Sequence, residues 1–310
     1  MLAFLAAGGG VRPMLDRDRL ISLIGPMPEP APLEPAILER VQCDGYVREL
    51  IEYAVEPGER IKTYFLVPDG LDRAAPLIFA HHQHNAEFAL GKSEVVGLAG
   101  DPDQAYAAEL ARRGYVVIAS DAIAFEERNW STPSGYAEYF ELVSRLVQGR
   151  TLLAKILSDV SRAIDYAVTR TEVDSNRIGF LGHSYGGRMA LWAPAWDRRI
   201  MVSVSNCGCV NYKNSLRRES GVQAEFCVPG ILQHGDIEDI VRLVAPRALL
   251  IQATTDDVWS DNADLIHDYA KDTFPEGQLA LRIWPGGHQF TAEMREAAYE
   301  FLASRLRPAD

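Results

Sequence analysis

Between Arg177 and Gly187 an apolar run passes directly through Gly182-His183-Ser184-Tyr185-Gly186 into a segment with helical spacing. Strand, G-x-S-x-G, helix is the context that forces a very sharp turn. Gly182 and Gly186 flank Ser184 because side chains there would collide with the neighbouring strand and helix. Ser184 is expected in a strained backbone conformation, its hydroxyl standing clear of the sheet. The helix after it aims free N–H groups and its positive dipole end at the same point. Ser184 is therefore the candidate nucleophile.

The rest of the chain has the alternation such a turn requires. Residues 46–57 and 60–67 read as strands joined by a turn at Glu56-Pro57-Gly58. Buried strands are expected at Pro76–His82 and Tyr115–Ser120, and further strands at Ile178–Leu181, Ile200–Ser205, Ala248–Ala253 and Leu279–Trp284. Helices are expected at Gln104–Arg113, Leu152–Val168, Tyr185–Ala195, Ala263–Thr273 and Ala292–Leu306. Short apolar strands alternating with helices imply an α/β fold. Its mostly parallel sheet is covered on both faces, with an antiparallel edge at the N-terminal end.

The first 45 residues read as an extension packing on the core, proline-rich at 25–35, ahead of a single domain over 46–310. Met1 to Gly10 is apolar but lacks a basic leader and a cleavage site, so it reads as a frayed or docked terminus. Two stretches break the alternation, 122–149 and 207–240. Both follow C-terminal ends of strands, where open α/β sheets bind ligands, and both are expected to wall the pocket. Phe125, Trp130, Tyr136, Tyr139 and Phe140 in the first hint weakly at an aromatic or sugar-like leaving group.

Composition narrows the partners. The 310 residues carry 31 basic and 43 acidic side chains, a net charge of −12, which argues against a nucleic-acid or anionic-membrane surface. No apolar run approaches a membrane span. Cys43, Cys207, Cys209 and Cys227 form no dense framework, so a reducing, cytoplasmic setting is the simple expectation. Cys207-Gly208-Cys209 reads as two small residues at a strand end, because zinc sites need further ligands at set spacing. The sequence leaves a homo-oligomer open.

A serine nucleophile needs a base, and the base needs an orienting acid. The order expected after this turn is serine, acid, histidine. Three histidines follow Ser184. His267 falls inside an expected helix, and His234 lies in an irregular stretch that could face the pocket. His288, in Pro285-Gly286-Gly287-His288-Gln289, sits between the last strand and the last helix, where a glycine-rich loop can swing an imidazole over the sheet edge. The acid should follow the Ala248–Ala253 strand, where Asp256 and Asp257 compete. Successive extended residues point opposite ways, so only one can face the histidine. Asp256, first after the strand, is favoured, and Asp257 is left as a turn or cap residue. Oxyanion donors are expected from the amides of Tyr185 and Gln83. His81, His82 and His84 invite a zinc reading, but a strand-end loop beside a nucleophile already has a task, so no metal and no cofactor is expected. His183 reads as a packed neighbour.

With these residues in view the chain resembles the α/β-hydrolase superfamily, and within it the dienelactone-hydrolase-like branch that also holds acetyl xylan esterases. The resemblance covers roughly residues 45–308. Asp159, Asp165 and Val173-Asp174 ahead of Arg177-Ile178 are similar to that branch, as are Ala245-Pro246-Arg247-Ala248-Leu249-Leu250 before the acid and His82-Gln83 followed by Gly91-Lys92-Ser93. The resemblance implies a Ser184–Asp256–His288 triad. Dienelactone hydrolase itself uses cysteine where this chain has Ser184.

The expected activity is hydrolysis of small or medium carboxylic esters through an acyl-enzyme. The same triad would also serve C–C bond hydrolysis or acyl transfer. A ligand-binding protein on the same scaffold need not keep all three positions filled, as they are here.

Overall fold

A computed structural model describes residues 15–131 and 135–306, and places nine strands in one sheet. The strands are β1 (Ala36–Gln42), β2 (Tyr46–Glu56), β3 (Glu59–Pro68), β4 (Ala75–His81), β5 (Val116–Ser120), β6 (Val173–His183), β7 (Ile200–Asn206), β8 (Ala248–Thr254) and β9 (Leu279–Trp284). Their order across the sheet is β1-β2-β3-β5-β4-β6-β7-β8-β9. The β1–β2, β2–β3 and β3–β5 pairs are antiparallel and all the others parallel. This is the mostly parallel α/β sheet with an antiparallel N-terminal edge that the sequence implies.

Ten α-helices cover it: α1 (Arg17–Ile24), α2 (Lys92–Val95), α3 (Tyr106–Arg112), α4 (Tyr136–Val147), α5 (Leu152–Ala167), α6 (Tyr185–Trp196), α7 (Tyr212–Arg217), α8 (Ile237–Val244), α9 (Ala263–Ala270) and α10 (Ala292–Leu306) among the described residues. Every residue of β5 and β8 is buried, as strands covered on both faces require. Strand alternation splits the core in two. Phe79, Phe180 and Ile251 pack with Ile156, Met189 and Ile240 of α5, α6 and α8. Their neighbours Ile78, Leu181 and Leu250 pack with Leu110, Met294 and Leu302 of α3 and α10.

Two N-terminal elements have no clear periodic signal. β1 is exposed along almost its whole length, so no buried face marks it; it is recognised by its backbone pairing with β2. α1 is capped by Asp16, whose side chain accepts from the Arg19 amide, and buries only Leu20 and Ile24. Residues 25–35 between them have no regular structure. The Met1–Gly10 expectation lies outside the described residues.

The order β5-β4-β6 decides where a ligand fits. From β4 the chain steps to β5 on one side and then returns to β6 on the other. At such a reversal the connections leave the sheet in opposite directions and open a crevice at the strands' C-terminal ends. His81 pairs with Gly182 across β4 and β6, so the loop through Gln83 and the turn through Ser184 emerge side by side.

Candidate active site

Ser184 lies between β6 and α6 with φ 58° and ψ −114°, a left-handed conformation that is costly for a residue with a side chain. Its amide donates to the Asn206 carbonyl at 2.8 Å, and its carbonyl accepts from the Arg188 amide at 2.9 Å, which pin the turn from both sides. The glycines act as expected. A Cβ on Gly182 would overlap the Gly186 backbone, and one on Gly186 would overlap the His81 carbonyl oxygen.

His288 follows β9 and lines the same cavity as Ser184, a space of about 630 Å³. Its Nδ1 lies 3.0 Å from Asp257 Oδ1. The carboxylate that meets His288 is therefore that of Asp257, in place of the expected Asp256. The reason is local. The Thr255 amide donates to the Trp284 carbonyl at 3.0 Å and the Asp256 amide to the Gly286 carbonyl at 2.9 Å, so the chain is still zipped to the β9 loop at these residues. Asp256 is exposed there, its carboxylate accepting from Thr255 Oγ1, 3.3 Å away. The carboxylate of Asp257 instead turns inward, accepting from the Trp259 amide at 3.0 Å and from Ser260 Oγ at 2.7 Å as well. Burial alone would raise the Asp257 carboxyl, but hydrogen bonds and charge from His288, with help from Ser260 and Trp259, outweigh it and hold it below the usual aspartate range. The signal in the sequence is Asp257-Val258-Trp259-Ser260: an aspartate whose side chain caps the amide two residues on and the hydroxyl three on.

His183 is fully buried beneath the site. Its Nδ1 meets Asn206 Nδ2 at 2.7 Å, and its ring lies 4.7 Å from that of His288 and 5.8 Å from that of Phe290. Burial, then the nearby His288, push it down to about 3, so it packs as a neutral ring.

The Tyr185 amide opens α6, next to the nucleophile. Gln83 follows β4, and its side chain donates to both Glu94 carboxylate oxygens, at 3.1 and 3.3 Å. The peptide after β5 is held by His82. Ala122 donates its amide to His82 Nε2 at 3.0 Å, so the ring proton is on Nδ1 and is donated to the Gln83 carbonyl at 2.7 Å. Burial pushes His81 down to about 4 and His82 well below the usual imidazole range, so both are neutral packing rings. Only His84 of that trio reaches the cavity. Neither His234 nor His267 lines it.

Gly91-Lys92-Ser93 is tied to the segment that follows β5 and buttresses it. Lys92 Nζ meets Asp121 at 2.6 Å, Glu126 at 2.7 Å and Glu127 at 2.5 Å, and is almost completely buried. A Cβ on Gly91 would overlap Asp121 Oδ1.

Both irregular stretches contribute to the cavity wall: Glu138 and Leu142 from α4, and Val222, Gln223, Ala224 and Cys227 from the loop after α7. The aromatic residues named from the first stretch do not. Phe125 is buried against His82 and His84, and Trp130, Tyr136, Tyr139 and Phe140 cluster outside, each about half exposed. Sequence reasoning also missed Glu225, buried 3.8 Å from His84. A lone glutamate in an irregular stretch carries no periodic signal.

Residues 92–305 match the model of the dienelactone hydrolase family. The chain belongs to the dienelactone hydrolase family. This makes it a hydrolase of carboxylic esters. Over 300 residues it is 28% identical to YtaP of Bacillus subtilis (strain 168), provisionally named a hydrolase, covering 94% of this chain and 98% of YtaP. A 119-residue part is 35% identical to the carbohydrate esterase MZ0003 of an unknown prokaryotic organism, over 33% of this chain and 27% of that one. Among solved structures, the fold is shared with the glucuronoyl esterase from Solibacter usitatus (TM-score 0.70, 16% identity, 94% of this chain and 92% of that one). It is also shared with the acetyl xylan esterase from Paenibacillus sp. R4 (TM-score 0.68, 19% identity, 89% and 90%). Among the described residues, no helix of this family member is long and apolar enough to cross a membrane.

Proposed function

We propose that this hydrolase cleaves small or medium carboxylic esters through an acyl-enzyme on Ser184. The observation that carries the reading is the Asp257–His288 hydrogen bond of 3.0 Å in the cavity that holds the strained Ser184. With Asp257 accepting at Nδ1, the neutral imidazole carries its proton there and presents a lone pair at Nε2. Nε2 takes the Ser184 proton as Oγ attacks the ester carbon. The carbonyl oxygen becomes an oxyanion that the Tyr185 and Gln83 amides stabilise. The imidazolium, held by the ionised Asp257, returns the proton to the departing alkoxide. Water then attacks the acyl-Ser184, again losing its proton to Nε2, and releases the acid and the free serine.

The test is turnover of p-nitrophenyl acetate together with acetylated xylose by wild type and Ser184→Ala. The reading expects the variant to lose at least about a thousandfold in kcat with the fold intact. Undiminished turnover in Ser184→Ala contradicts it.

A further inference from the structure

Glu138 lines the cavity, and the buried Glu225 lies beside it; the ester chemistry uses neither. His84, Glu138 and Glu225 bring one ligand atom each within 4.8 Å of one another. His84 Nε2 lies 2.7 Å from Glu138 Oε1 and 3.8 Å from Glu225 Oε1. Both oxygens of Glu225 are buried with no donor from an amide, hydroxyl or cation, their hydrogen-bond neighbour being the Glu138 carboxylate, and the buried hydroxyl of Tyr185 has no partner. Gln223, which lines the cavity, has an unpartnered buried amide oxygen as well. Orphaned polar atoms concentrated at one wall are costly unless something fills them.

The tautomer of His84 says what does not fit. The Ala86 amide donates to His84 Nδ1 at 2.9 Å, so Nδ1 carries a lone pair and the ring proton sits on Nε2, donated to Glu138. A metal ion needs an imidazole lone pair, and the one pointed into the cluster is occupied by a proton. His84 thus spends its ring N–H on Glu138 and leaves Glu225 without that donor. Burial, then the charge of Glu138 and a hydrogen bond to it, raise the Glu225 carboxyl well above the usual range, which favours its protonated form. No lysine or arginine lines this cavity among the described residues. Arg188 lies behind the rings of Phe226 and Trp259, 5.6 and 5.2 Å from their centroids.

We propose that Glu138 and Glu225 form a subsite for an ammonium group of the substrate, which makes amine-bearing esters the preferred class. An ammonium supplies several charge-assisted donors to acceptors that lack them, and binding it lets Glu225 ionise against a matching charge. The ester part of this proposal rests on the Ser184 reading above; the subsite itself does not.

The test is binding of n-butylammonium chloride and butan-1-ol to Ser184→Ala by calorimetry, paralleled by inhibition of p-nitrophenyl acetate hydrolysis by wild type. n-Butylammonium is expected to bind on the order of tenfold more tightly than butan-1-ol at low salt. The preference should shrink in 0.5 M NaCl and vanish in Glu138→Gln and in Glu225→Gln. Glu138 is partly exposed, so its variant serves if the buried Glu225→Gln fails to fold. Equal binding of the two probes, no binding of either, or a preference that survives Glu138→Gln overturns the proposal. Tight stoichiometric Zn²⁺ binding that Glu225→Gln abolishes overturns it in favour of a metal. Calorimetry on Ser184→Ala reads the subsite even if p-nitrophenyl acetate is not turned over, so the two readings fail separately.

Discussion

His288 Nδ1 and Asp257 Oδ1 lie 3.0 Å apart, while Asp256, one residue earlier, spends its amide on the Gly286 carbonyl and faces solvent. A shift of one residue therefore separates the carboxylate that meets His288 from one that faces solvent.

Asp257→Asn and Asp256→Asn should accordingly diverge. An amide at 257 can donate to Nδ1, which moves the ring proton to Nε2 and removes the lone pair that Ser184 needs. We expect kcat to fall by about 10³- to 10⁴-fold in Asp257→Asn and by less than about threefold in Asp256→Asn. Steady-state kinetics on p-nitrophenyl acetate decides; the reverse ranking returns the role to Asp256.

The turn around Ser184 predicts a contrast between two glycines. Gly186→Ala places a methyl onto the His81 carbonyl oxygen, a backbone atom that cannot move aside. We expect a loss of at least about 3 kcal/mol in a denaturant melt, with activity abolished. Gly58, at φ 85° with open space around it, should cost only about 1 kcal/mol when changed to alanine, the price of a left-handed conformation. Equal losses would mean that crowding at the turn is unimportant.

Lys92→Met keeps the buried stem and removes the charge. Asp121, Glu126 and Glu127 would then face one another with no cation between them. Breaking a buried ion cluster from one side costs about 3–5 kcal/mol, read as a lower midpoint in urea. A midpoint within error of wild type would refute the buttress role.

Glu225 carries a pH signature. Burial and Glu138 raise its folded value, so the folded chain keeps a proton that the unfolded chain releases. Its contribution is fully present below the unfolded value of about 4.3 and is lost as pH rises toward the folded value. Stability should fall with rising pH from that point by up to about 1.4 kcal/mol per pH unit from this group alone. Glu225→Gln should flatten that decline, and an unchanged slope between pH 4.5 and 7 would show that Glu225 is ionised in the fold.

What could be read from the sequence follows from how each feature is encoded. Ser184 and His288 are written locally: one by glycines that no other residue can replace, the other by a glycine-rich loop between the last strand and helix. The buried strands β4, β5 and β8 are written by short apolar runs. Asp257 is decided by which of two loop amides is zipped to the β9 loop, a long-range pairing absent from local spacing. β1 has an exposed face on both sides, so only its partner defines it. Glu138 and Glu225 come from two separate stretches, 87 residues apart in numbering, and only the fold brings them together at His84.

Labelling with a fluorophosphonate, followed by intact-mass analysis and peptide mapping, tests the Ser184 chemistry most directly. The account predicts one adduct per chain, on Ser184, absent in Ser184→Ala and formed far more slowly in Asp257→Asn. An adduct on another residue, or labelling of Asp257→Asn at the wild-type rate, would contradict it.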